Sequence, residues 1–290
     1  MQVKEVIIPA AGWGTRFLPE SKVVPKELMP LGDKPMISFP VKEAKMAGIS
    51  KVVFVLPRDN RAPLDYFSRN TKLENVLKKA NKRELLSKLE QVSREAEGIN
   101  FCSVVQKAPK GDGDAILQAK KEIKGGAFGV LFVDDIFDSK RPAIEQLIKV
   151  FSTSQKPVLG LKRVSDDKLS AYGIVKVDKI ASRIFKIRDI VEKPGPAEAP
   201  SDLAICGRYI LTADIFDYLE KTPASKKGEI ILVEALKKML EDGKMIYAYE
   251  IEGDWLECGK MVDWMKTNLH ICLNHPEYGP IIKEWFKRVQ

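Results

Sequence analysis

The sequence predicts an α/β protein built on a Rossmann-like, doubly wound mixed sheet that is mostly parallel. Three observations carry this reading. Apolar β-branched runs at Val3–Pro9 and Lys51–Leu56 flank a helix-spaced stretch at Met36–Ala47, and strand, helix, strand with short joints implies a parallel crossover. The alternation continues through Phe101–Gln106, Ala115–Ile123 and Gly129–Val133. From about residue 151 short strands dominate, at Val158–Lys162, Gly173–Val177, Phe185–Glu192 and Leu203–Ile210; these read as a further portion inserted in or appended to the same sheet. No repeat or Gly/Ser linker divides the 290 residues, 44% of them hydrophobic, so one body is expected.

Taken in order, Val3–Pro9 is apolar enough for a buried strand. It runs into Ala10-Ala11-Gly12-Trp13-Gly14-Thr15-Arg16. Gly12 and Gly14 permit a tight turn and close approach of a ligand, and the backbone N–H groups of such a turn suit phosphate oxygens. Arg16, Lys22 and Lys26 add positive charge beside it. The spacing fits neither the dinucleotide G-x-G-x-x-G nor the P-loop. A nucleoside-triphosphate site on this loop is the expectation.

The helix at Met36–Ala47 has Pro35 at its start and Gly48 at its end, and Pro40 inside it allows a regular beginning only there. Residues 60–97 are largely helical, with Leu73, Val76, Leu77 and Ala80, then Leu85, Leu86, Leu89 and Val92, at intervals of mostly three and four. The mixed charges from Lys72 to Lys88 read as a solvated face. A second glycine turn, Lys107 to Asp114, separates strand from helix. The next strand ends in Asp134-Asp135. Asp134, its first polar residue, suits Mg²⁺, which holds phosphates through one or two carboxylates and water. Asp135 and Asp138 are read as caps of the following helix.

Helices return at Ala213–Leu219 and Glu229–Glu241, followed by a strand at Ile246–Ile251 and helices from about Met261 and Pro280. Glu192 and Lys193 precede Pro194. Neighbours in a strand face opposite ways, so they are either a surface pair or, with a bend, a pair addressing one ligand. Glu257, after Trp255-Leu256, is another acid that an apolar element could bring to a metal.

Composition narrows the function. No apolar run approaches the length of a membrane span. The N-terminus lacks a secretory pattern, and four cysteines without CxxC spacing read as reduced thiols, so a cytoplasmic location is expected. Two histidines near the C-terminus make a His-based triad or metal site a poor fit. The net charge of +8 fits an anionic substrate as well as nucleic acid, and no nucleic-acid-binding signature is present.

Together these segments resemble the sugar nucleotidyltransferases, in their uridylyl branch. AAGWGTRFLPESKVVPKELMPLGDKPMI is similar to the family signature, and DYFSRNTKLENVLKKANKRELLSKL to the helical insertion of the uridylyl enzymes. QKAPKGDGDAI, YGIV, VEKP, SDLAICGRYIL and GEIILVEAL correspond in order to further family blocks. The resemblance implies the nucleotide-diphospho-sugar transferase fold in a single domain over residues 1–290. Within it, about 1–150 form the nucleotide-binding part, about 151–260 the sugar-phosphate part and about 261–290 C-terminal helices. It also implies synthesis of UDP-glucose and pyrophosphate from UTP and glucose-1-phosphate with Mg²⁺, in a homodimer or homotetramer, with no nucleic-acid or membrane partner.

The same resemblance assigns roles. Arg16, Lys26 and Lys193 are catalytic; Ala10, Ala11, Gly12, Gly14, Thr15, Lys22, Gln106 and Gly111 bind nucleotide. Gly173, Glu192 and Lys193 bind sugar phosphate, and Asp134 and Glu257 bind metal. Glu257 stands where relatives usually carry aspartate, Asp202 replaces a common asparagine, and Ile231, Val233 and Glu234 also depart from the pattern. The alternatives are a thymidylyltransferase on the same sugar phosphate, against which the insertion argues, and a non-catalytic paralogue that binds nucleotide sugar.

Overall fold

Val6, Ile7 and Ile8 are wholly buried because the strand they form lies inside a sheet covered by helices on both faces. The computed structural model describes residues 1–289. In chain order the first elements are β1 (Glu5–Pro9), β2 (Pro30–Leu31), β3 (Lys34–Pro35), α1 (Ser38–Met46) and β4 (Lys51–Pro57). There follow α2 (Ala62–Asp65), α3 (Thr71–Lys79), α4 (Arg83–Ala96), β5 (Asn100–Gln106), α5 (Asp112–Gln118), β6 (Ala127–Leu131) and β7 (Asp135–Asp138). Next come α6 (Ala143–Ser154), β8 (Val158–Arg163), β9 (Gly173–Ala181), β10 (Ile184–Glu192), β11 (Leu203–Thr212) and α7 (Ile215–Lys221). The last are α8 (Leu232–Glu241), β12 (Tyr247–Glu250), β13 (Asp254–Glu257), α9 (Met261–Asn274) and α10 (Tyr278–Val289).

The main sheet has nine strands in the order β5-β4-β1-β6-β11-β8-β12-β10-β9. Its first four strands are mutually parallel. From β6 onward the pairs are antiparallel except β12 with β8, so the sheet is mixed but not, as expected, mostly parallel, because the strands of the second half are joined largely as antiparallel neighbours. Alternation along β1 and β4 sends Ile7, Val53 and Val55 to one face, against α5, α7 and α8. Val6, Ile8, Val52 and Phe54 go to the other, against α1 and α6. Burial on both faces explains why these strands are continuously apolar rather than alternating.

Three details differ from the sequence reading. Helix α1 begins at Ser38, ahead of Pro40, because the first turn of a helix needs no N–H donors and a proline there removes nothing. Helix α5 begins at Asp112 and ends at Gln118, so the second glycine turn is partly its first turn. Asp135 and Asp138 do not cap the following helix. They bound β7, which pairs antiparallel with β13, Asp254 opposite Asp138 and Glu257 opposite Asp135. Trp255 Nε1 donates to Asp135 Oδ1 at 2.7 Å, a long-range partner that local capping rules cannot reveal. The insertion folds as α3 and α4, with Leu73, Val76 and Leu85 exposed. No helix among the described residues is long and apolar enough to cross a membrane.

Candidate active site

The carboxyl ends of β1, β5 and β6 converge on one cleft, the usual ligand position of parallel sheets. It measures about 420 Å³ and is lined by residues 11–17 with Lys26, Glu27, Gln106, Gly111, Asp112 and Asp134. The loop after β1 holds its shape through a turn at Thr15–Phe17: Gly14 has φ 60°, and Phe17 N donates to Gly14 O at 2.8 Å. Phe17 is buried and pins the loop, while Trp13 is 73% exposed. A Cβ at Gly12 would meet nothing within 4 Å. Packing of the protein therefore does not require glycine there.

Lys26 and Asp134 meet on the floor, Nζ to Oδ2 3.0 Å. Burial opposes the charge of Lys26, but the carboxylates of Asp134, Glu27 and Asp135 outweigh it and hold its pKa above the ordinary lysine value. Burial likewise works against ionised Asp134; the charge and hydrogen bond of Lys26, with help from Arg16, prevail and lower its pKa. Asp135 takes the opposite course. Burial, and then the neighbouring Asp134 charge, push it up to about 7. Gly207 is required beside it, because φ there is 47° and a Cβ would collide with the Asp135 carboxylate.

Arg16 lines the same cleft and reaches Gly259 O at 3.5 Å. Ala10 is buried, and Ala11, Gly12, Gly14 and Thr15 border the cleft. Lys22 sits apart, in an adjoining cleft of about 580 Å³ that it shares with Lys26, Arg58, Asn60 and Gln106. Gln106 and Gly111 meet: Nε2 of Gln106 donates to Gly111 O at 3.1 Å. Gly111 has φ 95°, and a Cβ would strike the Ile230 carbonyl, so only glycine fits this turn. Asp112 joins the turn to α8, its Oδ1 accepting from Gly113 N at 2.8 Å and Leu232 N at 3.0 Å. Burial raises its pKa, and the charge of Glu192 adds to this despite those two bonds.

Gly173 and Glu192 are paired across β9 and β10, and Gly173 leaves room for the Glu192 carboxylate, 3.3 Å from where a Cβ would stand. Lys193 has φ 49°, and this left-handed turn brings its Nζ within 3.2 Å of Glu192 Oε1. The bend before Pro194 thus puts the two adjoining side chains together. Glu257 is engaged elsewhere: Lys168 Nζ donates to its Oε2 at 2.7 Å and the Tyr172 hydroxyl to its Oε1. Its neighbour Cys258 touches the metal candidate's backbone, N to Asp134 O 2.7 Å.

Two features escape local sequence reading. Glu27 is 2% exposed, borders the cleft, and its Oε1 has no hydrogen-bond partner; burial raises its pKa to about 7. Behind the floor, Arg208 is 0% exposed and donates to Glu43, to the carbonyls of Phe132 and Gly207, and to Asp135 O at 2.6 Å. An arginine within the apolar run SDLAICGRYIL was the available signal, since buried charges are paired.

A nucleotidyl transferase family model matches residues 5–273, and the chain belongs to that family. A UTP–glucose-1-phosphate uridylyltransferase of Staphylococcus saprophyticus is 39% identical over 289 residues, 100% of this chain and 99% of the relative. The UTP-bound UGPase of Acinetobacter baumannii superposes with a TM-score of 0.92 at 34% identity, over 100% of both chains. A UDP-glucose pyrophosphorylase complexed with UDP-glucose matches at TM-score 0.82 and 34% identity, over 93% of this chain and 98% of that one.

Proposed function

We propose that the protein makes UDP-glucose and pyrophosphate from UTP and glucose-1-phosphate. The observation that carries this reading is the Lys26–Asp134 pair, 3.0 Å apart beneath a bare glycine loop at the carboxyl edge of parallel strands. Cation, carboxylate and free backbone N–H groups are what a triphosphate and its counter-ion need. The full-length relatives named for this reaction support it.

A phosphate oxygen of glucose-1-phosphate attacks the α-phosphorus of UTP in line; the new P–O bond forms as the bond to the β-phosphate oxygen breaks, and pyrophosphate carries away the electron pair. No side-chain nucleophile is needed. The protein's part is positioning and charge neutralisation. The backbone of residues 10–15 cradles the triphosphate, with Lys22 on its outer side. Arg16 and Lys26 offset charge on the leaving pyrophosphate. Gln106 and Gly111 address uracil, and Glu27, whose Oε1 is unpartnered, borders the same cleft. Gly173 gives access to the glucose ring, Glu192 takes its hydroxyls and Lys193 its phosphate.

Mg²⁺ fits this donor set. Among the described residues no group of three or more His, Cys, Asp or Glu forms a cage, and Mg²⁺ characteristically takes one or two carboxylates together with substrate phosphates and water. Asp134, kept ionised by Lys26, would hold it, and Glu257 would join by exchanging Lys168 and Tyr172 for the ion. When bound, the ion neutralises phosphate charge.

The parallel β5-β4-β1-β6 half supports the Rossmann-like, doubly wound description, with nucleotide on about 1–150, sugar phosphate on about 151–260 and the rest in C-terminal helices of the same domain. Exposed Val262, Met265, Leu269, Ile281 and Trp285 suit a homodimer or homotetramer contact, and four free cysteines suit a reducing cytoplasm. The test is pyrophosphate release from UTP or dTTP with a panel of sugar-1-phosphates, with and without Mg²⁺. UTP with glucose-1-phosphate should turn over fastest; no release with any pair would refute the enzyme.

A further inference from the structure

Gln106 is the last residue of β5, 5% exposed, and it borders both clefts beside the glycine loop. A primary amide has two N–H donors on nitrogen and lone pairs only on oxygen. Here both donors are used inside the protein: Nε2 donates to Gly111 O at 3.1 Å and to Asp114 Oδ2 at 2.7 Å. A peptide carbonyl and a carboxylate can only accept. The amide therefore has one orientation, because turning it over would set its oxygen against two oxygens. Its Oε1 takes no hydrogen bond from the described residues and is left for the cleft.

Asp114 is itself held. It is 8% exposed in the first turn of α5, and its other oxygen accepts from Gln118 Nε2 at 3.1 Å. A carboxylate at that end of a helix is favoured by the helix dipole. The chain of contacts thus runs Gln118 to Asp114 to Gln106, and it ends in an acceptor oxygen facing the nucleotide cleft.

We infer that Asp114 is a positioning residue for base selection: by fixing the Gln106 amide it makes the site accept a pyrimidine that carries N3–H, uracil, and reject cytosine, whose N3 is an acceptor. This rests on the reading of Gln106 as a base contact. A pyrimidine with an acceptor at N3 would bring two lone pairs together in a buried place, where an unpaired polar group is costly.

The experiment compares kcat/KM for UTP and CTP, at saturating glucose-1-phosphate, in the full-length protein and four variants. Asp114→Leu removes the acceptor and should lower the UTP-to-CTP ratio by roughly tenfold or more. Asp114→Asn should retain it, since an amide oxygen still accepts from Gln106 while exposed Gln118 turns to accept from the new N–H. Gln106→Glu keeps an oxygen for N3–H but faces Gly111 O and Asp114 with acceptors only, so it should lose the ratio. Gln106→Ala reports the base contact itself. An unchanged ratio in Asp114→Leu alongside a lost one in Gln106→Ala overturns the inference and leaves the base contact standing. A wild-type ratio in Gln106→Glu overturns it too, without depending on how well Leu is tolerated at 114. An unchanged ratio in Gln106→Ala removes the base contact, and the inference falls with it.

Discussion

Lys26 Nζ lies 3.0 Å from Asp134 Oδ2, and the two side chains are only 20% and 23% exposed. A cation and an anion so placed hold each other charged before any ligand arrives: the pKa of one is raised and of the other lowered. The Lys26 ammonium is thus fixed in place against Asp134 at the edge of the cleft. Lys26→Ala should fold normally and lose turnover by about 10²–10³, the cost of one electrostatic donor in a closed site. Single-turnover pyrophosphate release checks this, and near-normal rates would remove Lys26 from the catalytic set.

The metal assignment divides two carboxylates. Asp134→Asn should lower turnover at least about 10²-fold, and added Mg²⁺ should not restore it. Glu257→Gln should raise the Mg²⁺ concentration for half-maximal rate by about tenfold, as removal of a supporting ligand does. Titrating the rate with Mg²⁺ separates the roles. An unchanged midpoint in Glu257→Gln would mean that Glu257 serves only Lys168 and Tyr172, its partners in the free protein.

How far these features were legible in the sequence follows from how local their causes are. Val6-Ile7-Ile8 and Lys51–Leu56 announced buried strands because burial on both faces demands continuous apolar residues. The Gly12–Gly14 turn and the placing of Asp134 beyond β6 follow from chain order alone. The meeting of Glu192 with Lys193 depends on a positive φ at a lysine, which proximity to Pro194 only hinted at. Asp135 was misread because its partner, Trp255, lies 120 residues away. Glu27 looked like any polar residue beside a lysine; what makes it distinctive is burial, and that comes from the packing of the whole loop.

Asp135 and Glu27 contribute to the pH dependence of stability. Burial and Asp134 raise the former to about 7, and burial raises the latter to about 7. In the unfolded chain such groups titrate near ~4, so the folded state binds more protons between ~4 and about 7. Their contribution to stability is fully present below the unfolded values and is lost as pH rises through about 7. Asp134, with its lowered pKa, acts only at lower pH, where stability falls as it protonates. Asp135→Asn keeps an oxygen for Trp255 and removes the titration. The melting temperature of the variant minus that of the wild type should therefore become more positive from about pH 5 to about pH 8. A difference independent of pH would show that folded Asp135 titrates normally.

Arg208 carries the last prediction. Its guanidinium is wholly buried, bound to both oxygens of Glu43, and lies 5.0 Å from the centre of the Phe137 ring. It also holds the carbonyls of Phe132 and Asp135, the residues on either side of Val133-Asp134. Glu43→Met or Arg208→Met alone leaves a buried charge without its partner and should cost about 3–5 kcal/mol. Glu43→Met with Arg208→Met removes both charges and should cost less than the sum, because the two singles share one penalty. Urea unfolding of the four proteins measures this coupling. Strict additivity would mean that Glu43 and Arg208 act independently, leaving the carbonyl contacts as the reason for an arginine at 208.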